Sequence, residues 1–132
     1  MVHTDTNKKP PEKTPTLRVI PMPADTNAEG DIFGGWLLSQ MDLAGASEAY
    51  QYVGHRIVTV GVDSMTFHKP VYVGDEVSFF THVEKVGRTS IAVRVEAWAR
   101  SRIEKDYRMV TEGVYTFVAL DHNRQPTEIV RK

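Results

Sequence analysis

The sequence predicts a single α+β domain, one long helix laid against an antiparallel sheet of about five strands. Three observations predict it. Apolar residues return at helical spacing from Phe33 to Val53, the second half of the chain alternates with period two through four long stretches, and short turns marked by glycine, proline or aspartate separate those stretches. A chain of 132 residues is long enough for one core and short enough to leave room for a partner subunit to complete it.

Met1 to Pro15 is polar and proline-containing, with almost nothing to bury, and reads as a disordered tail ahead of a domain spanning 16–121. Leu17 to Ile20 is a short strand stopped by Pro21 and Pro23. A polar loop, Ala24 to Asp31, feeds a helix that opens at Phe33-Gly34-Gly35-Trp36 and ends at Gly54, a residue suited to the left-handed C-terminal position. Ile57 to Phe67 starts with Val58, Val60 and Val62 on one face and continues with Met65 and Phe67 on the other parity. That change implies a bulge or bend near Asp63-Ser64. Glu76 to Val86, Thr89 to Arg100 and Tyr107 to Leu120 complete the strands, with a tight turn at Gly87-Arg88. The last strand is apolar on both parities toward its end, as expected of an interior position. The four long strands are expected to follow one another as antiparallel neighbours. Residues 122–132 read as a C-terminal tail.

The helix carries one anomaly. Leu38, Met41, Gly45, Ala46 and Ala49 form its apolar stripe, flanked by Leu37 and Val53, and Asp42 falls within that stripe. A carboxylate facing packed surface costs several kcal/mol, on the order of the penalty for a buried charge, unless it is hydrogen-bonded or protonated. Ala44, Gly45, Ala46 and Ala49 are small enough to let the helix lie close on the sheet.

Composition excludes several classes. A net charge of -1 and a pI near 6.5 argue against a nucleic-acid or anionic-membrane binder. With no cysteine there is neither a disulfide framework nor a thiol nucleophile. The five histidines (His3, His55, His68, His82, His122) lack metal-ligand spacing, and no serine stands in a Gly-x-Ser-x-Gly elbow. No apolar run reaches the ~18 residues of a membrane span, so a cytoplasmic location is expected.

The run Met22-Pro23-Ala24-Asp25-Thr26-Asn27-Ala28-Glu29-Gly30-Asp31-Ile32-Phe33-Gly34-Gly35-Trp36, followed by Ser39-Gln40-Met41-Asp42, resembles the hotdog-fold acyl-CoA thioesterases of the YciA type. So do Val60-x-Val62-Asp63-Ser64-Met65-x-Phe67-x-Lys69-Pro70 and Val86-Gly87-Arg88-Thr89-Ser90. The resemblance covers about Leu17 to Asp121. It implies a hotdog fold, a long central helix wrapped by a curved antiparallel sheet. It further implies a homo-oligomer, a dimer with shared active sites assembled as a trimer of dimers. The implied reaction is hydrolysis of short- to long-chain acyl-CoA thioesters to free acid and CoA. No cofactor or metal is implied, CoA being part of substrate and product.

The same resemblance assigns roles. Asp42 is the catalytic carboxylate, acting as general base on water or as nucleophile through an anhydride, between which the sequence does not choose. Asn27 acts across the subunit interface on a site whose Asp42 belongs to the neighbour. The N–H groups of Gly34 or Gly35, at the positive end of the helix, polarise the thioester carbonyl. Gly87, Arg88, Thr89 and Ser90 are the expected CoA contacts, with Lys69 as a further phosphate candidate. Ser64 lies where the strand edge would run along pantetheine, and Thr26 is a supporting candidate. Each has a plainer reading: Asp42 a solvent-reaching helix acid, Asn27 a turn residue, the glycines a packing device, and Arg88 and Lys69 solvated corners. Hotdog dehydratases and several sister thioesterases carry histidine just before the paired glycines, where this chain has Phe33. That weakens a dehydratase reading and leaves acid–base work to Asp42. A non-catalytic acyl-CoA sensor and an acyl-CoA hydratase are the alternative functions on this fold.

Overall fold

Phe33 and Gly54 bracket the element that organises the chain. In the computed structural model, which describes residues 9–130, helix α1 spans Gly34–Val53. Gly54 closes it at φ 82°, its N–H donating to the Tyr50 carbonyl at 2.7 Å. Five strands follow the alternation in the sequence: β1 Leu17–Val19, β2 Ile57–Phe67, β3 Glu76–Val86, β4 Ser90–Arg100 and β5 Arg108–Ala119. Met1 to Lys8, within the expected N-terminal tail, lie outside the described residues, as do Arg131 and Lys132.

The sheet order is β1-β3-β4-β5-β2, antiparallel throughout. This corrects the expectation of four long strands adjacent in sequence order. Only β3, β4 and β5 form such a meander. β2 is joined to β3 by the long connection through Lys69-Pro70 and pairs instead with β5, so it forms one edge of the sheet. Helix α1 lies across the inner face with its first half beside β2, Gly34 at the Phe67 ring and Asp42 at Thr59, and it separates in the chain the strands of the two opposite edges, β1 and β2.

Packing of that crossing follows from side-chain size. Ile91, Val93, Val95, Ala97 and Ala99 of β4 are all fully buried on the inner face, as their alternation requires. Against them α1 buries Leu37, Met41, Ala44, Gly45, Ala49 and Val53. A Cβ on Gly45 would stand 3.3 Å from Phe117 Cζ and from Val95 Cγ2, so the helix backbone rests directly on those two side chains.

The faces of β2 depart from the expected alternation. Its pairing with β5 breaks register twice, between Thr59 and Gly61 and between Asp63 and Thr66, with Ser64 at φ 54° in the second break. Each break inserts residues without partners and flips the face of those that follow. Val58 and Val62 consequently fall on opposite faces. Thr59, Val62, Met65 and Phe67 are the residues that share the helix side, opposite Phe117, Tyr115, Gly113 and Thr111.

Both flanking segments are tied to the sheet. Lys13 Nζ donates to the Thr81 carbonyl at 2.7 Å, and Thr81 Oγ1 donates to Glu48 Oε1 of α1 at 2.8 Å. At the other end Thr127 N donates to the Ala119 carbonyl and Ile129 N to the Arg88 carbonyl, each at 2.8 Å, and Ile129 is buried. The segment expected as a polar C-terminal tail thus folds back over the β3–β4 turn.

Candidate active site

The loop before α1 is shaped by Asn27. Its Oδ1 accepts from Glu29 N at 2.9 Å and Asp31 N at 3.1 Å, while its own N–H donates to the Asp31 carbonyl at 2.7 Å. The plainer reading of Asn27 as a turn residue is therefore realised, and its Nδ2 is the part left to face another group. Ile32 N then donates to the Val71 carbonyl at 2.9 Å, and Phe33 N to the Asp25 carbonyl at 3.0 Å, which fixes the start of the helix on the end of the sheet. Thr26 Oγ1 is occupied locally, donating to the Pro23 carbonyl at 2.8 Å.

That helix start is bare. Phe33 provides no side-chain cap, and the first bonds of the turn come from Trp36 N and Leu37 N to the Phe33 carbonyl. The N–H groups of Gly34 and Gly35 are left at the open end of the helix, where the dipole is positive. A side chain at Gly35 would meet nothing within 4 Å, and one at Gly34 only the Phe67 ring at 3.6 Å. Both residues are exposed, so a ligand reaches their backbone without obstruction.

Asp42 stands two turns further along, half-buried at the margin of the core-facing stripe. This modifies the expectation that it lies within the stripe: Met41, Ala44 and Gly45 point into the core, while Leu38, Asp42 and Ala46 form the half-exposed flank toward β2. Thr59 of β2 donates through Oγ1 to Asp42 Oδ1 at 2.8 Å, which leaves Oδ2 for a reactant. Below it, Tyr115 of β5 is buried and donates its hydroxyl to the Leu38 carbonyl at 2.7 Å. Leu38 is also the residue whose carbonyl accepts the Asp42 N–H in a regular α-helix, so Tyr115 grips the same turn. Burial first, and the Asp42 charge second, hold the Tyr115 phenol well above its ordinary pKa, so it stays neutral. Neither Thr59 nor Tyr115 was among the candidates read from sequence. The signal for Thr59 was a hydroxyl set among the valines at the start of the strand.

These contacts define a groove. Its helix wall is Gly34, Gly35, Leu38 and Asp42, its sheet wall is Thr59, Val62, Met65 and Phe67, and it opens along the edge strand β2. The expected CoA contacts do not gather there within one protomer. Gly87 to Ser90 form the β3–β4 turn, closed by Gly87 N to the Ser90 carbonyl at 2.8 Å, and Ala119, which pairs with Ile57, donates to the Thr89 carbonyl at 2.9 Å. The turn therefore stands at the start of β2. Ser64 lies in the bulge toward the far end of β2, and Lys69 beyond it, its N–H donating to the Val110 carbonyl at 3.2 Å. Among the described residues no group of histidine, cysteine, aspartate or glutamate has the arrangement of a metal site, and no helix is long and apolar enough to cross a membrane. A separate cleft lined by Pro11, Lys13, Phe80, His82, Arg94 and Glu96 sits at the outer face of the sheet, away from the groove.

Known proteins match this arrangement. The family model of the thioesterase superfamily matches residues 29–105. The acyl-CoA thioester hydrolase YciA of Salmonella typhimurium is 46% identical over 120 residues, 88% of this chain and 90% of that protein. The crystal structure of a hexameric thioesterase from Yersinia pestis superposes with a TM-score of 0.86 at 45% identity, covering 92% of this chain and 99% of the other. That of a hexameric broad specificity acyl-coenzyme A thioesterase does so at 0.86 and 44% identity, covering 98% and 90%. The chain belongs to the thioesterase superfamily, and within it to the hotdog-fold acyl-CoA thioester hydrolases of the YciA type.

Proposed function

We propose that this protein hydrolyses acyl-CoA thioesters, of short to long chain, to free acid and CoA. The observation that carries the reading is the groove in which the unpaired N–H groups of Gly34 and Gly35 and the free oxygen of Asp42 share one helix flank. Thioester hydrolysis develops negative charge on the carbonyl oxygen, which backbone donors at a helix N-terminus stabilise without rearranging. Asp42 either takes a proton from the attacking water or attacks the carbonyl carbon itself, releasing CoA thiolate and leaving an anhydride for water to open. Phe33 leaves no imidazole beside the glycines, so the acid–base work rests on the carboxylate.

Helix geometry argues for a shared site. Gly34 and Asp42 are eight residues apart, a rise of about 12 Å along α1, whereas a nucleophile must approach the carbonyl to about 3 Å. Pairing of two β2 edges about a twofold axis resolves this mismatch. Antiparallel pairing sets the start of one β2 against the end of the other, bringing the Thr59–Asp42 level of one protomer toward the Gly34–Phe67 level of the second. The same operation brings the Gly87–Ser90 turn of one protomer toward the Lys69 and Ser64 end of the other, so the two sets of CoA contacts serve one ligand. Asn27 Nδ2 then orients the water or the thioester oxygen across the interface. Val58, Val60 and Val62 are exposed along β2, with Phe33, Leu43 and Phe67 beside them, an apolar edge of the kind that single chains avoid leaving open. The hexameric relatives support a trimer of such dimers, and a cytoplasmic location accords with this reading.

The test is release of free CoA, followed with a thiol reagent, from butyryl- to palmitoyl-CoA. Asp42→Asn keeps an oxygen acceptor for Thr59 and so keeps the fold, but removes the base. A loss of about 10²–10⁴-fold in kcat with little change in KM is expected. Wild-type protein that binds acyl-CoA without turnover would assign it to the sensors instead.

A further inference from the structure

Gly113 leaves a notch in the inner face of β5, and the side chain of Met65 occupies it. A Cβ at residue 113 would stand 2.9 Å from Met65 Sδ, closer still to its Cε, and 3.4 Å from its Cα. The second register break in β2 is what brings Met65 to this side, so bulge, methionine and notch form one arrangement. Met65 is half-buried and packs on the core from the sheet wall of the groove, between Thr59, which holds Asp42, and Phe67, which borders Gly34. In the shared site the carbonyl is bound at the Gly34–Phe67 level of this protomer, where it meets the Asp42 level of the second, and an acyl chain running from there along β2 lies against Met65.

Resting on the thioesterase reading, we infer that Met65 sets the acyl-chain length this site accepts. Its thioether is the floor beneath the chain, and the notch at Gly113 is the reserve of space behind that floor. Methionine is the unbranched, readily repacked apolar side chain, so the floor yields to a longer chain at small expense. The rest of the floor is stiffer: Thr59 and Val62 are β-branched, and Phe67 is an aromatic ring.

Two substitutions move the floor in opposite directions. Met65→Ala empties the notch and lets a longer chain reach into it. Gly113→Ala fills the notch and drives the thioether out into the groove. The readout is the ratio of kcat/KM for dodecanoyl-CoA to that for butyryl-CoA, with melting curves to establish that each variant is folded. Relative to wild type the ratio is expected to rise about tenfold in Met65→Ala and to fall about tenfold in Gly113→Ala, the scale at which one or two methylenes are discriminated by an apolar pocket. If Gly113→Ala does not fold, Met65→Ala decides the matter alone. Unchanged ratios, or shifts of the same sign in both variants, overturn the assignment of Met65 while leaving the activity in place. A wild-type protein that releases CoA from neither substrate overturns the activity, and this inference with it.

Discussion

Gly45→Ala is the sharpest probe of how closely α1 rests on the sheet. The added methyl would sit 3.3 Å from both Phe117 Cζ and Val95 Cγ2, a few tenths of an ångström inside comfortable contact. In an open helix the change would stabilise by about 1 kcal/mol, because alanine surrenders less backbone freedom than glycine. Here the neighbours have nowhere to go. Both are fully buried on interior strands, and Phe117 is stacked on Tyr115 with ring centroids 6.4 Å apart. Overpacking of this kind costs about 1–3 kcal/mol, which outweighs the propensity gain and leaves a net loss of about 1 kcal/mol. For a domain of this size that is about 4 °C in Tm. The helix must also rise slightly, and Asp42, one turn earlier, rises with it from Thr59, so kcat should fall while KM is held. The assay is thermal and urea unfolding at fixed protomer concentration, alongside CoA release. Combining the change with Val95→Ala, which clears one of the two obstacles, should destabilise by less than the sum of the single variants. A Gly45→Ala protein more stable than wild type, or strict additivity with Val95→Ala, would refute the close-contact argument.

Other expectations follow from single interactions. The Tyr115 phenol has its pKa raised in the folded protein, so the stability this gives is present in full below about pH 10, the unfolded value, and is lost as pH rises toward the folded value; Tyr115→Phe should flatten that alkaline decline in a pH series of unfolding midpoints. Glu76 is the converse case, its carboxyl held below the ordinary range by a hydrogen bond from Tyr107 and then by Arg100. Its contribution is present above about pH 4.5 and lost as pH falls through the lower folded value, so Glu76→Gln should destabilise at pH 7 and approach wild type as the pH is taken below that value. Val60→Lys places a charge on the exposed β2 edge and should shift the protein to monomer on size-exclusion chromatography, abolishing CoA release while the far-UV spectrum is retained.

Legibility of the fold tracked how local its causes are. Helix α1 and its end at Gly54 were readable because periodicity and one glycine suffice, and β4 because its inward residues alternate without a break. Strand order was not readable, since the pairing of β2 with β5 joins segments far apart in the chain and leaves no local mark in either strand. The bulge near Asp63-Ser64 was visible as a parity change, but the break at Thr59 was hidden inside a run of valines that look equivalent. The C-terminal return was hidden because eight of the nine residues from Asp121 to Ile129 are polar or proline, and one isoleucine anchors them. At the site, Asp42 and the paired glycines stood out as a charge in an apolar stripe and a bare helix start. Thr59 and Tyr115 did not, because each acts through a partner distant in the chain.

The position of β2 at the edge opposite β1, next to the last strand of the chain, also bears on how the chain folds. The meander β3–β4–β5 joins segments that are neighbours in sequence, while Ile57 must find Ala119 and Phe67 must find Thr111 across the whole of that meander. Closing so long a loop is slow compared with forming hairpins. During synthesis α1 and β2 emerge before the strand that will receive them, and the valines of β2 wait without a partner until β5 has left the ribosome. A newly made chain is therefore most prone to aggregate in that interval, and what ends it is the docking of the last long strand.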